Sequence, residues 1–339
     1  MRKPLFPRTL ASIVGASLIA MTAPAFAAKC TLSRVAELPV LNSGGYTVVE
    51  GALNGQKVGV LLDSGAGKTM LVRPSAVRLG LVPRDIRNAR VMGIGGETKA
   101  EMVAIDELAI GPVVQKSLSL LVSGQHDLRD DVGVIVGQDF LRRFDVEFDL
   151  PHKMVRLFQT RDCDGASLAY WAPAGTAEVD LAIDSTGASS IQTQVEINGR
   201  RFFAQLDTGS YRSTLILPAA ESIGVTPASP GVVSGGCWGG IGDRPIQVWI
   251  GQFESFRIGA ETIRDPKLYF ADVFRYSTYT DVGSHVPRRS VQPDMLLGAD
   301  FLRSHRALIA HSQGKMYFEY VSGTVFPTAP APACDQATK

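Results

Sequence analysis

Two aspartates, Asp63 and Asp207, occupy the same local setting. Each ends an apolar run and is followed by a small hydroxyl residue and a glycine. The first stretch reads Val60-Leu61-Leu62-Asp63-Ser64-Gly65-Ala66-Gly67-Lys68-Thr69, the second Ala204-Gln205-Leu206-Asp207-Thr208-Gly209-Ser210-Tyr211-Arg212-Ser213. An ionised carboxylate is costly to bury without partners, so a buried strand that delivers an Asp into a tight turn points to chemistry over packing. General acid and base catalysis is the work such carboxyl groups do.

The elements that position these aspartates repeat in register. Nine residues before each Asp stands Asn-Gly, at Asn54-Gly55 and Asn198-Gly199, a hairpin signal between alternating strands. Eleven residues after each Asp, Pro74 and Pro218 open a short helical stretch. Those stretches end in Gly80-Leu81 and Gly224-Val225, with Pro83 and Pro227 beyond. Glycine-rich segments follow, Gly93-Ile94-Gly95-Gly96 in one copy and Gly235 to Gly242, through Trp238, Gly239, Gly240 and Ile241, in the other. Each reads as a mobile loop or as a flap over a bound ligand. Each copy closes with an apolar triplet, a Gly and a short helix: Val134-Ile135-Val136-Gly137-Gln138-Asp139-Phe140-Leu141 and Met295-Leu296-Leu297-Gly298-Ala299-Asp300-Phe301-Leu302. Final hairpins turn around Pro151-His152-Lys153 and Gln313-Gly314-Lys315.

Asp-Ser/Thr-Gly twice, a Gly-rich flap segment and an apolar-apolar-Gly strand in each copy together resemble the retropepsin-like aspartic proteases. The resemblance runs from about Tyr46 to Phe158 and from about Val179 to Val321. It implies a mostly β fold of two tandem closed β-barrel (acid protease) domains with short helices. It further implies an aspartic endopeptidase in which Asp63 and Asp207 form a catalytic dyad, one from each repeat. Two close carboxyls cannot both ionise, so the dyad keeps one proton and titrates as a unit. By the same resemblance Ser64 and Thr208 brace the turns across the interface, Gly65 and Gly209 permit them, and Thr69 and Ser213 support them. Gly93, Ile94, Gly95 and Gly96, with Trp238, Gly239, Gly240 and Ile241, would close over an extended peptide or protein substrate. Because one chain carries both halves, a monomer with an internal pseudo-dimer is expected. The alternatives are a homodimer pairing like halves, and a peptide-binding module of the same fold with little turnover. One departure concerns the interface: the second copy reads Ala310-His311-Ser312 where the first reads Glu147-Phe148-Asp149.

Other chemistries fit less well. Gly65-Ala66-Gly67-Lys68-Thr69 suggests a phosphate loop, but Leu62 occupies the place of its first Gly. Gly93-Ile94-Gly95 has Thr98 where a dinucleotide fingerprint needs its third Gly, and no Gly-x-Ser-x-Gly elbow is present. Five scattered histidines and four cysteines lack zinc spacing, so neither metal nor cofactor is expected. A net charge of +1 gives no reason to expect nucleic acid.

Residues 1–27 read as a signal peptide: Arg2, Lys3 and Arg8, then an apolar run from Leu10 to Met21, then Ala25-Phe26-Ala27. That run is short for a membrane span, Lys29 precedes Cys30 where a lipoprotein signal needs a small residue, and no stable anchor is expected. The chain is thus expected to be exported, periplasmic or secreted, with 28–161 and 177–325 as domains joined by linker 162–176. The Pro/Ala-rich tail, 326–339, reads as loosely ordered. Export makes disulfides expected. Cys30 and Cys163 bracket the first half and are the favoured bridge, while Cys237 remains open as a free thiol. Between Gly259 and Gly298 the second copy is longer and carries Tyr269, Phe270, Phe274, Tyr276 and Tyr279, a surface excursion or a substrate-contacting loop.

Overall fold

In the computed structural model, residues 30–41, 44–124, 129, 131–172, 175–183, 190–242, 244–276, 278–280, 287–289 and 292–334 are described. The leader segment lies outside them, as does the side chain of Tyr279. The fold is mostly β, in two barrels with four short α-helices among these residues.

The first barrel starts from the hairpin that the Asn-Gly signal marks. Strand Val48–Leu53 turns through Asn54 and Gly55, with φ of 49° and 77°, into strand Gln56–Leu62. Asn and Gly tolerate this left-handed geometry, which matches the twist of the flanking strands. Asn198 and Gly199 repeat it at 50° and 77°, joining Ile191–Ile197 to Arg200–Asp207. The Asn54 and Asn198 side chains then accept backbone amides of Glu107 and Ser255, tying each hairpin to the next turn.

Strand Gln56–Leu62 is buried at its apolar end because it lies beside the parallel strand Val134–Val136, with Leu61 opposite Ile135 and Leu62 opposite Val136. The ladder continues through Met70–Val72 and Val113–Ser123 to Gly96–Ile110, which pairs back onto Val48–Leu53 and closes six strands. In the second copy the same circuit runs from Ile191–Ile197 through Arg200–Asp207, Met295–Gly298, Thr214–Ile216 and Lys267–Ala271 to Ile246–Gln252. After a bend the chain continues as Ser255–Ile258, which returns to Ile191–Ile197. Closure leaves neither barrel with a raw edge there.

A third sheet joins the copies. Its order is Thr31–Pro39, Met154–Arg161, Asp145–Asp149, His305–Ala310, Lys315–Tyr320, Ala177–Asp180, three strands from each half. At its centre Asp145–Asp149 and His305–Ala310 run antiparallel, with Glu147 opposite Leu308 and Asp149 opposite Arg306. The departure noted in the sequence therefore does not disturb the sheet. Glu147 is fully buried there, held by Arg156, Arg306 and the Tyr170 hydroxyl. The buried charge is tolerated because each of its oxygens has a charge-assisted or hydroxyl partner. Tyr170 and Trp171 belong to the segment between the copies, so this connection packs on the central sheet; Leu168 and Ala169 are buried with it.

Two disulfides are present, Cys30–Cys163 and Cys237–Cys334. The second resolves the question left at Cys237 and corrects the expectation for the tail. Residues 326–334 are fastened: Phe326 stacks edge-on against Phe256, Ala331 bridges Gly235, and Cys334 reaches the strand Val233–Trp238. Of the aromatics in the longer segment, Tyr269 and Phe270 are core residues of Lys267–Ala271, whereas Phe274 and Tyr276 pack beside the second flap. Among the described residues no helix is long and apolar enough to cross a membrane.

Candidate active site

Asp63 and Asp207 stand where their strands leave the barrels. Each is half-buried, and each side chain caps its own turn. Asp63 Oδ1 accepts the amides of Gly65 and Ala66 at 2.9 and 3.0 Å, and Asp207 Oδ1 accepts those of Gly209 and Ser210 at 3.1 and 3.0 Å. These turns are locked to one another by reciprocal bonds. The Ser64 hydroxyl donates to the Leu206 carbonyl (2.8 Å) and accepts the Thr208 amide (3.0 Å). The Thr208 hydroxyl donates to the Leu62 carbonyl (2.6 Å) and accepts the Ser64 amide (2.9 Å). All four bonds are buried, so water cannot replace them.

The glycines place the carboxyls face to face. A β-carbon on Gly65 would stand 2.5 Å from Cγ and from Oδ1 of Asp207, and one on Gly209 would press on the Asp63 carboxyl at least as closely. Only a residue without a side chain admits this approach. Burial pushes the Asp63 carboxyl well above the ordinary carboxylate range, the neighbouring Asp207 adds to it, and the turn amides of Gly65 and Ala66 oppose it. Asp207 is likewise raised, by burial first, against the amides of Ser210 and Gly209. The pair therefore keeps a proton that isolated carboxylates would lose.

A second ring holds each turn from behind. Thr69 donates its hydroxyl to Asp139 Oδ1 at 2.7 Å, and the same oxygen accepts the Thr69 amide at 2.9 Å. Ser213 is held by Asp300 through both carboxyl oxygens, its hydroxyl donating to Oδ1 at 2.5 Å and its amide to Oδ2 at 2.8 Å, and its own hydroxyl oxygen accepts the Gly298 amide at 2.9 Å. Gln138 adds a bond from Nε2 to the Ser64 carbonyl at 3.0 Å. Asp139 and Asp300 were not singled out from the sequence as site residues, though their identical place after Gly137 and Gly298 was the available signal.

Two hairpins meet above the turns. Arg84–Gly93 and Gly96–Ile110 form the first, with Ile94-Gly95 at its tip; Val233–Trp238 and Ile246–Gln252 form the second, carrying Gly239, Gly240 and Ile241. Gly95 donates its amide to the Ile241 carbonyl at 2.9 Å and its carbonyl accepts the Arg244 amide at 3.2 Å. The tips exchange side chains. Ile94 packs on the second copy's cluster around Trp238 and Tyr269, and Ile241 on the first copy's cluster around Leu61, Met70 and Ile135. Gly96 lies under Tyr276. Every residue expected at the site thus lies in the two turns, the strands behind them or the two tips.

Two barrels related by an approximate two-fold, each giving one Asp turn to a shared interface, define an aspartic-protease fold. Residues 49–143 match the family described as "gag-polyprotein putative aspartyl protease", and residues 193–301 match the family "Aspartyl protease". The chain belongs to the retropepsin-like aspartic protease family and carries two tandem copies of its domain. Aspartic proteinase from Irpex lacteus has a similar fold, with a TM-score of 0.50 at 12% identity, covering 86% of this chain and 98% of that one. A retropepsin-like aspartic protease from Rickettsia conorii is 20% identical, with a TM-score of 0.28, covering 39% of this chain and 94% of that one. An uncharacterized protein in the cobV 5′ region of a Sinorhizobium species is 26% identical over 98 residues. That match spans 29% of this chain and 41% of the relative's length.

Proposed function

We propose that this protein is an aspartic endopeptidase whose catalytic dyad is Asp63 and Asp207. The observation that carries the reading is the reciprocal close approach, with each copy's turn glycine lying under the other copy's carboxyl. A pair holding one proton has both reagents that amide hydrolysis needs. The ionised member takes a proton from water as it attacks the carbonyl carbon, and the protonated member gives its proton to the departing nitrogen. The turn amides keep both carboxyls fixed during this exchange, and flap closure would exclude bulk water around the scissile bond. An extended peptide would lie between the dyad and the two hairpin tips, contacting Gly93 to Gly96 on one side and Trp238 to Ile241 on the other.

We read residues 28–161 and 177–325 as the two domains of one monomeric enzyme. The central sheet, filled by strands of a single chain, supports one chain per active site over a pairing of like halves. Residues 1–27 act as an export signal in this reading, delivering the chain to the periplasm or outside the cell, where disulfides persist. Peptide-library digestion by wild type beside Asp63→Asn and Asp207→Asn tests the proposal. Hydrolysis by wild type and none by either variant is expected; a variant retaining most of the rate refutes the dyad. Activity per chain that falls as a dimer dissociates in sedimentation would refute the monomer.

A further inference from the structure

Resting on the protease reading, we infer that the second copy's side of the cleft holds a subsite for an acidic side chain, with Arg212 as the residue that recognises it. Arg212 lies five residues past Asp207, in the turn that presents the dyad. Its guanidinium is packed among three rings, 4.6 Å from the centre of Tyr211, 4.5 Å from Tyr269 and 5.6 Å from Trp238 on the flap strand. Rings cover the faces of a guanidinium and leave its N–H edges for carboxylate. Among the described residues no hydrogen bond or ion pair occupies those edges.

The neighbouring charges do not compensate it. Arg303 donates to the carbonyls of Gly45 and Tyr211, and burial lowers its pKa, with Asp300 opposing and Arg212 lowering it further. Asp300 itself is committed to Ser213 through both carboxyl oxygens. The dyad keeps its own charge on the turn amides. A half-buried cation without a counter-charge is costly, and a substrate carboxylate removes that cost. The position is also close to the chemistry. The Ser210 amide is held by Asp207 Oδ1 at 3.0 Å and the Ser210 hydroxyl donates to the Arg212 carbonyl at 2.8 Å, so a single residue ties Arg212 to the carboxyl.

The first copy has a weaker version of the same place. Lys68 stands at the matching position, exposed, and also without an ion pair among the described residues. The first copy has Val91 and Leu121 at the places that match Trp238 and Tyr269, and among the described residues no ring lies against the Lys68 ammonium. Lysine is a strongly hydrated point charge, whereas a caged arginine presents a planar two-pronged donor. Selection for Asp or Glu is therefore assigned to the Arg212 side.

Statine-centred peptides, with Glu or Gln placed in turn at each of the positions flanking the statine, provide the test by direct binding. Charge-assisted pairs are worth about 1.5–3 kcal/mol, or about tenfold to a hundredfold in affinity. One position is expected to favour Glu over Gln by that factor in wild type. Arg212→Gln is expected to bring the ratio to about one, and Arg212→Lys to retain part of it. A ratio near one at every position in wild type, or one unchanged in Arg212→Gln, overturns the assignment, as does the absence of binding by any of the peptides. Because binding is measured, the outcome separates from that of the protease reading. A Glu preference without hydrolysis of the parent peptides refutes only the activity, and hydrolysis without a Glu preference refutes only the subsite.

Discussion

Replacing Gly65 by alanine isolates the close approach on which the proposed chemistry depends. The added methyl would stand 2.5 Å from the Asp207 carboxyl carbon and oxygen, and the Gly65 backbone is not among the positive-φ positions, so the clash alone acts. Comfortable carbon contacts begin near about 3.5 Å, so the carboxyl or its turn must withdraw by roughly 1 Å. Withdrawal stretches the Gly209 and Ser210 amide bonds to Asp207 and pulls at the Ser64 and Thr208 cross-bonds. Overpacking of this kind costs about 1–3 kcal/mol, and a displacement of about 1 Å in a reacting group costs on the order of a hundredfold in rate. Urea unfolding and kcat/KM on a fluorogenic peptide read the two effects separately. Gly239→Ala is the stability control, since a β-carbon there meets nothing within 4 Å. A Gly65→Ala protein with wild-type stability and a rate within about threefold of wild type refutes the reasoning.

Other expectations follow from the same geometry. The dyad's carboxyls are raised in the folded state, so the native protein binds more protons than the unfolded chain above the ordinary value of 3.8. Their contribution to stability is complete below that pH and is lost as pH rises through the folded range. Asp63→Asn should therefore stabilise the fold at neutral pH and lose that advantage toward pH 4, as read by denaturant midpoints. Thr208→Val strands the Leu62 carbonyl and the Ser64 amide, both buried, and should cost about 1–3 kcal/mol per group. A loss below about 0.5 kcal/mol would show that the lock is not what holds the turns. Cys237→Ser with Cys334→Ser should lower stability by about 2–4 kcal/mol and open residues 326–334 to proteolysis, seen by limited digestion and mass spectrometry.

Local rules wrote much of this fold into the sequence. Asn-Gly fixes its hairpins because both residues accept positive φ, and the apolar run before each Asp reads as buried because it can be nothing else. The two Asp turns were legible for the same reason, and the repeat supplied their pairing. What remained hidden depends on contacts between distant segments, which leave no period. Nothing in Gly93 to Gly96 says that Ile94 crosses to the other copy. Asp145, Glu147 and Asp149 look like a solvated edge, yet all three are buried in the central sheet, Glu147 and Asp149 held by Arg156 and Arg306 from other strands and Asp145 by the Thr160 and Ser312 hydroxyls. The tail was misjudged because composition describes its own propensity and says nothing of a cysteine waiting on a flap strand. Asp139 and Asp300 stood in plain sight, but their role appears only once Thr69 and Ser213 are folded against them.

The exchange of Ile94 and Ile241 between the hairpin tips has a kinetic consequence. Each tip is seated in the opposite barrel, and the Gly95 amide and carbonyl bond across the junction, so neither hairpin can lift while the other stays docked. The two behave as a single latch with one opening rate. At high peptide concentration the observed rate of capture should level off at that rate, whatever the peptide, instead of rising without limit. Trimming Ile94 to alanine removes one bolt of the latch and should raise the plateau, even though the residue has no part in bond cleavage.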